Sequence, residues 1–182
     1  MSDESSDLKD KTSLLVDVLK RYDHYVATTN FKAALMMSFL GAIVLGLTMR
    51  VMFLQPVQQG EICIQYAAII VSVLTILSSL FAAVQLLRVV FPDTKNSDGA
   101  GSVIFFGTVV SENKSADEYY GKVVSAEHGE LLRDLATQTF NVAGVVNQKF
   151  KVLKVAVNTV RYITVPLLAA ALILLIIEGH AR

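Results

Sequence analysis

The sequence has no tryptophan, one cysteine and three prolines, and only 18% of its 182 residues are charged. A single cysteine excludes an intramolecular disulfide and any cysteine-based metal cluster. Low charge beside 53% hydrophobic residues excludes a disordered chain. Sixteen basic residues balance sixteen acidic ones, which argues against a DNA- or RNA-binding protein. Also absent are a Gly-rich phosphate loop, HExxH, GxSxG and Walker signatures. The three histidines, His24, His128 and His180, form no ligand set at helical spacing. The expectation is a protein with no catalytic residues, no metal and no cofactor, and so not an enzyme.

What is present is long charge-free runs. Ala33 to Met49 has no charged residue, and the apolar pattern resumes after Arg50 through Leu54. Ile62 to Leu87 is 26 residues without a charge, and Tyr162 to Ile177 is 16. A membrane-spanning helix needs roughly 20 mostly apolar residues. The second run meets this outright. The first does so if Arg50 snorkels at a membrane boundary, and the third if Val155–Val160 begins the apolar helix and Arg161 snorkels. A water-soluble bundle would need protein on every face of Ile62–Leu87, and the chain has little else to supply it. The reading is an all-α membrane protein with three transmembrane helices, 33–54, 62–87 and 156–177. Thirty-two mostly polar residues precede the first span, so it does not read as a secretory signal peptide.

Basic residues set an orientation. Lys9, Lys11, Lys20, Arg21 and Lys32 precede the first span, the 55–61 connection has none, and nine from Arg88 to Arg161 lie between the second and third spans. By the positive-inside rule, 1–32 and 88–155 are cytoplasmic, while the 55–61 turn and the 178–182 tail face outward. Cys63 then falls near the outer boundary, where the expectation is a buried, unpaired thiol, with an intermolecular disulfide as the alternative.

The cytoplasmic segments read as amphipathic helices continuing the spans and packing as a stalk or bundle. Leu8, Leu15, Val18, Leu19, Tyr22 and Val26 make one stripe, with Ser5 or Ser6 as the cap. Phe91-Pro92 ends the second helix, and Asp93–Ser102 is a loop. Val103–Val110 is either a short strand lacking a partner in the chain, or an extended or short helical segment. Ser115 caps a short helix through Val124, with Glu118 completing a capping box. A longer helix starts near Ala126 or Glu127 with a stripe of Leu131, Leu132, Leu135, Phe140 or Thr139, Val142, Val146, Phe150 and Leu153. Within the second span, Gln65, Ser72, Thr75 and Ser79 form a polar stripe at spacings suited to lining a shared axis in a homo-oligomer, with ordinary tolerance of Ser and Thr in lipid as the alternative.

This pattern resembles the membrane effector family of bacterial Pycsar antiphage systems. The resemblance rests on Thr29-Asn30-Phe31-Lys32-Ala33 at the first span, where the family usually has aspartate in place of Asn30. It rests further on Phe91-Pro92, Ile104-Phe105-Phe106-Gly107, Tyr119 or Tyr120, and the long helix carrying Lys149-Phe150. It covers about residues 20–178. It implies an effector at the bacterial inner membrane that responds to cyclic CMP or cyclic UMP and impairs membrane integrity, causing abortive infection. The signal would come from a functionally coupled nucleotide cyclase that need not touch the effector. Phosphate contacts are then sought among Arg88, Lys95, Lys122, Arg133 and Lys149, and base-stacking rings among Phe105, Phe106, Tyr119 and Tyr120. The alternative is a membrane scaffold or regulatory subunit that binds a partner protein through its cytoplasmic helices.

Overall fold

The computed structural model describes residues 2–54, 62–91 and 101–180, and all regular structure among them is helical. Helix α1 spans Ser2–Met52, α2 Ile62–Val90, α3 Phe106–Glu112, α4 Ala116–Ser125, α5 His128–Thr159 and α6 Val165–His180. A π-helical turn, Val160–Thr164, joins α5 to α6. The connection 55–61, residues 92–100 and the tail 181–182 lie outside the described residues. Packing divides the chain into two compact units.

The first unit, Thr29–Pro92 with Lys149–Arg182, contains the apolar runs. Three helices are long and apolar enough to cross a membrane, within Ser6–Met52, Ile62–Val90 and His128–His180. Their buried residues follow a period near 3.5. In α2 they are Ala68, Ser72, Thr75, Ser79, Ala82, Leu86 and Val89, alternating steps of four and three. In α1 they are Thr29, Ala33, Leu40, Ile43 and Leu47, with Met36 half-buried between them. That period keeps a seam facing its neighbours along a helix, as in a left-handed coiled coil. Small side chains on α2 let it pack closely on α6 and the π-turn. The opposite faces expose Phe39, Leu45, Leu77, Phe81, Ile173 and Ile176. Large apolar groups outside and hydroxyls inside suit hydrocarbon as the solvent.

The third seam reads Lys149, Leu153, Ala156, Val160, Thr164, Leu168, Ala171, Leu175 and Glu178. From Ala156 to Leu168 it takes three successive steps of four, one residue more than the alternation allows. The π-turn absorbs that residue: the Val165 N–H donates to the Val160 carbonyl, five residues back. Pro166 follows at once. In an unbroken α-helix its ring would press on the Tyr162 carbonyl, and it brings no N–H to the ladder. The break within the third apolar run is absent from the sequence-based expectation of one continuous helix.

The second unit, Met1–Thr28 with Asp93–Gln148, carries the amphipathic segments. The expected α1 stripe is present, since Leu8, Leu15, Val18, Leu19, Tyr22 and Val26 are half-buried between exposed residues. The helix itself starts at Ser2, ahead of the expected cap. Val103–Val110 forms no strand; the chain is irregular to Phe105 and then enters α3. Ser115 caps α4, its side chain accepting from the Glu118 N–H at 3.2 Å. Glu118 accepts from the Lys114 N–H at 2.9 Å, one residue earlier than a standard capping box requires. Along α5, Leu135, Thr139 and Val146 are buried, while Phe140 is 79% exposed. The stripe therefore takes Thr139 over Phe140 and, in the other unit, Lys149 over the exposed Phe150. Cys63 is exposed, contrary to the expected buried thiol.

Candidate functional site

In the second unit, the polar chemistry centres on Asp134 of α5. Its carboxylate accepts from the Ser102 hydroxyl at 2.8 and 3.0 Å, the Val103 N–H at 2.8 Å and the Ile104 N–H at 3.2 Å. Ser102 Oγ in turn accepts from the Phe105 N–H at 2.9 Å and Gln138 Nε2 at 3.1 Å. Asp134 and Gln138 lie one turn apart on α5 and so reach the same loop. They satisfy the backbone donors that precede α3, which would otherwise lack partners. Gly101 enters this clamp with φ +79°, a left-handed conformation that glycine adopts without steric cost. From α4, the Tyr119 hydroxyl donates to the Val103 carbonyl at 3.0 Å.

Beside the clamp lies an open hollow of about 400 Å³. Its lining includes Ser102, Glu130, Arg133, Asp134, Thr137 and Gln138. Arg133 is exposed at this hollow, where a guanidinium can meet an anion. Among the described residues no group of three His, Cys, Asp or Glu is placed to hold a metal ion.

The sequence-selected ligand residues do not form one cluster. Tyr119 reaches the Ser102–Val103 loop by its hydroxyl, and Arg133 lines the hollow beside it. Phe105 is half-buried, its ring 4.9 Å from that of Phe106, which is 77% exposed. Gly107 permits this fold-back, because a Cβ there would sit 2.7 Å from the Phe105 ring. Tyr120 projects outward, and Lys122 Nζ approaches the Glu112 carbonyl at 3.4 Å. Arg88 is exposed in the other unit, near Gln85 Oε1 at 3.5 Å, and Lys95 lies outside the described residues. Sequence reasoning missed Ser102, Asp134 and Gln138. The available signal was the polar i, i+4 pair on the flank of the apolar stripe of α5.

Lys149 is no open phosphate contact. It is 4% exposed, and its ammonium donates to Asn30 Oδ1 at 3.0 Å, to the Val89 carbonyl and, at 3.4 Å, to the Val90 carbonyl. It thereby caps the C-terminus of α2, where the helix dipole favours a cation, and ties that end to α1. Arg50 has a partner distant in sequence. Its guanidinium donates to Glu178 Oε2 at 3.2 Å, giving the 2%-exposed carboxylate of α6 a partner on α1. The α2 stripe of Ser72, Thr75 and Ser79 is fully buried within the unit, with Gln65 half-buried toward its end. Within this chain the stripe therefore faces the protein's own interior.

A family model described as the Pycsar effector protein domain matches residues 14–177. Over 158 residues, 84% of this chain and 84% of the relative, the sequence is 28% identical to the Pycsar effector protein EcPycTM of Escherichia coli. No solved structure matches.

Proposed function

Since the chain belongs to the Pycsar effector family, we propose that it is an antiphage defence effector that answers a cyclic nucleotide by impairing the inner membrane, so that the infected cell is lost before phage are released. The observation that carries this reading is a membrane unit with an apolar exterior, held by polar contacts, in the same chain as a unit with an open hollow that Arg133 lines. Cyclic CMP or cyclic UMP is the proposed signal, made by a coupled cyclase. Arg133 is the proposed phosphate contact, since among the described residues it is the sequence-selected cation that lines the hollow. The proposed orientation has the N-terminus in the cytoplasm and the C-terminus outside, supported by the distribution of Lys and Arg, with the chain acting as a homo-oligomer.

The test is co-expression with a pyrimidine cyclase, followed by phage challenge and uptake of an impermeant dye. Dye uptake that needs both proteins supports the reading; equal uptake without the cyclase refutes it. Exposure of Phe106, Val110, Tyr120, Val124 and Phe140 favours a second reading, a scaffold that binds a partner protein through this unit. A nucleotide-independent complex with a neighbour-encoded protein would favour that alternative.

A further inference from the structure

The faces that α2 presents outward carry Ile70, Leu74, Leu77 and Phe81. Water gains nothing from such a surface, so the present exterior of α2 is a poor lining for a permeation path. The polar stripe of α2 is hidden. Ser72, Thr75 and Ser79 lie fully buried along the middle of α2, flanked on the same seam by Ala68 and Ala82. Close packing on α6 requires small side chains, and alanine meets that need at both ends of the stripe. Packing alone therefore does not explain three hydroxyls in the middle, where hydrocarbon is deepest.

Hydrogen bonding explains some of them and leaves one over. Thr75 Oγ1 donates to the Val71 carbonyl at 2.7 Å and Ser79 Oγ to the Thr75 carbonyl at 2.8 Å. Ser78 Oγ lies 2.9 Å from the Thr75 carbonyl and 3.2 Å from Thr164 Oγ1 in the π-turn. Ser72 Oγ, fully buried on the same seam, has no partner. An unpartnered hydroxyl in an apolar setting favours any state in which water reaches it. The seam also meets the third helix where that helix is least regular, at the extra residue of the π-turn just before Pro166.

We infer that this hydroxyl seam, closed in the present structure, is the surface that water and small hydrated ions wet when α2 parts from the π-turn and α6. The inference rests on the proposed membrane-impairing function and adds the path by which permeation occurs. It keeps Ser72, Thr75 and Ser79 as the lining expected from sequence and adds that they are buried inside the unit until the seam parts.

Cysteine accessibility tests it in the full-length protein. Cys63, the sequence's one cysteine, is first changed to Ser, and Ser72→Cys, Thr75→Cys, Ser79→Cys and a control, Leu77→Cys, are then made singly. Leu77 is 57% exposed on the outward face. Cells expressing each variant, with or without a cyclase producing cyclic CMP or cyclic UMP, are treated with a charged thiosulfonate while dye uptake is followed. With the cyclase, positions 72, 75 and 79 should be labelled at least about tenfold faster than without it, and position 77 should stay protected. Dye uptake with all three seam positions still protected overturns the inference and leaves the proposed function standing. Absence of dye uptake even from the unmodified protein overturns both. If the cysteine variants fail to accumulate, the near-isosteric triple change Ser72→Ala, Thr75→Val, Ser79→Ala is read instead. Dye uptake at least about tenfold lower at equal membrane abundance supports the seam, and undiminished uptake refutes it.

Discussion

Lys149 and Asn30 lie 119 positions apart in sequence, and the lysine ammonium donates to the asparagine oxygen at 3.0 Å. All three acceptors around that ammonium are uncharged, so its desolvation is offset by dipoles alone. Lys149→Met is expected to lower stability in detergent by about 1–3 kcal/mol, because the end carbonyls of α2 lose their cap. Asn30→Asp is expected to raise it by about 1–2 kcal/mol, since a carboxylate would pair with a cation already removed from water. Thermal unfolding of the two variants checks both signs. A more stable Lys149→Met protein would contradict the capping role.

Arg50 and Glu178 should couple. Arg50 is 40% exposed, so solvent weakens the pair, while the 1%-exposed Glu178 side chain depends on it more strongly. A double-mutant cycle with Arg50→Gln and Glu178→Gln is expected to give a coupling of about 1 kcal/mol. Glu178→Gln alone should destabilise less than Arg50→Gln, because only the latter takes the Arg50 cation from a carboxylate that stays charged and buried. Equal effects with no coupling would contradict the pairing.

Asp134→Asn should loosen the loop before α3. Oδ2 accepts from both loop N–H groups, so the amide keeps an acceptor there but loses the charge and the second oxygen that meets the Ser102 hydroxyl, and the cost is about 2–3 kcal/mol. Hydrogen exchange at the Val103 and Ile104 amides should speed up well before global unfolding. Tyr119→Phe, which removes one hydrogen bond to the Val103 carbonyl, should cost about 1 kcal/mol. Unchanged exchange in Asp134→Asn would show that the clamp does not hold the loop.

Much of this architecture is legible in local sequence. The three helices long and apolar enough to cross a membrane follow from missing charge, and the α1 stripe from Leu8 to Val26 follows from helical period. The Ser115 cap follows from residue type and spacing. What stays hidden depends on partners distant in sequence. Lys149 and Asn30 each stand out in the sequence, one as a cation and one within the family-like first-span motif, but nothing local joins them. Asp134 reads as a surface acid until Ser102 is brought to it. At Thr139-Phe140 the larger apolar residue looks like the core choice, yet the seam phase selects threonine. The π-turn was signalled by Pro166 and by the one-residue slip of the apolar pattern. Its form follows from packing both flanks on one seam.

That slip gives a separable prediction. Deleting Ile163 restores alternating steps of four and three along the third seam, but places the proline inside an α-helix, at a cost of about 3 kcal/mol. The deletion alone should therefore be strongly destabilising, and its combination with Pro166→Ala should recover most of the loss. A deletion no better tolerated with alanine than with proline would contradict this account of the π-turn.

The proposed function is tested most directly with purified full-length protein in vesicles loaded with a self-quenched dye. The account predicts rapid dye release on addition of cyclic CMP or cyclic UMP, and none with the corresponding linear 5′-monophosphates. Arg133→Gln should weaken the response to the active nucleotide. Vesicles that stay sealed with both cyclic nucleotides, or that leak equally without any, would contradict it.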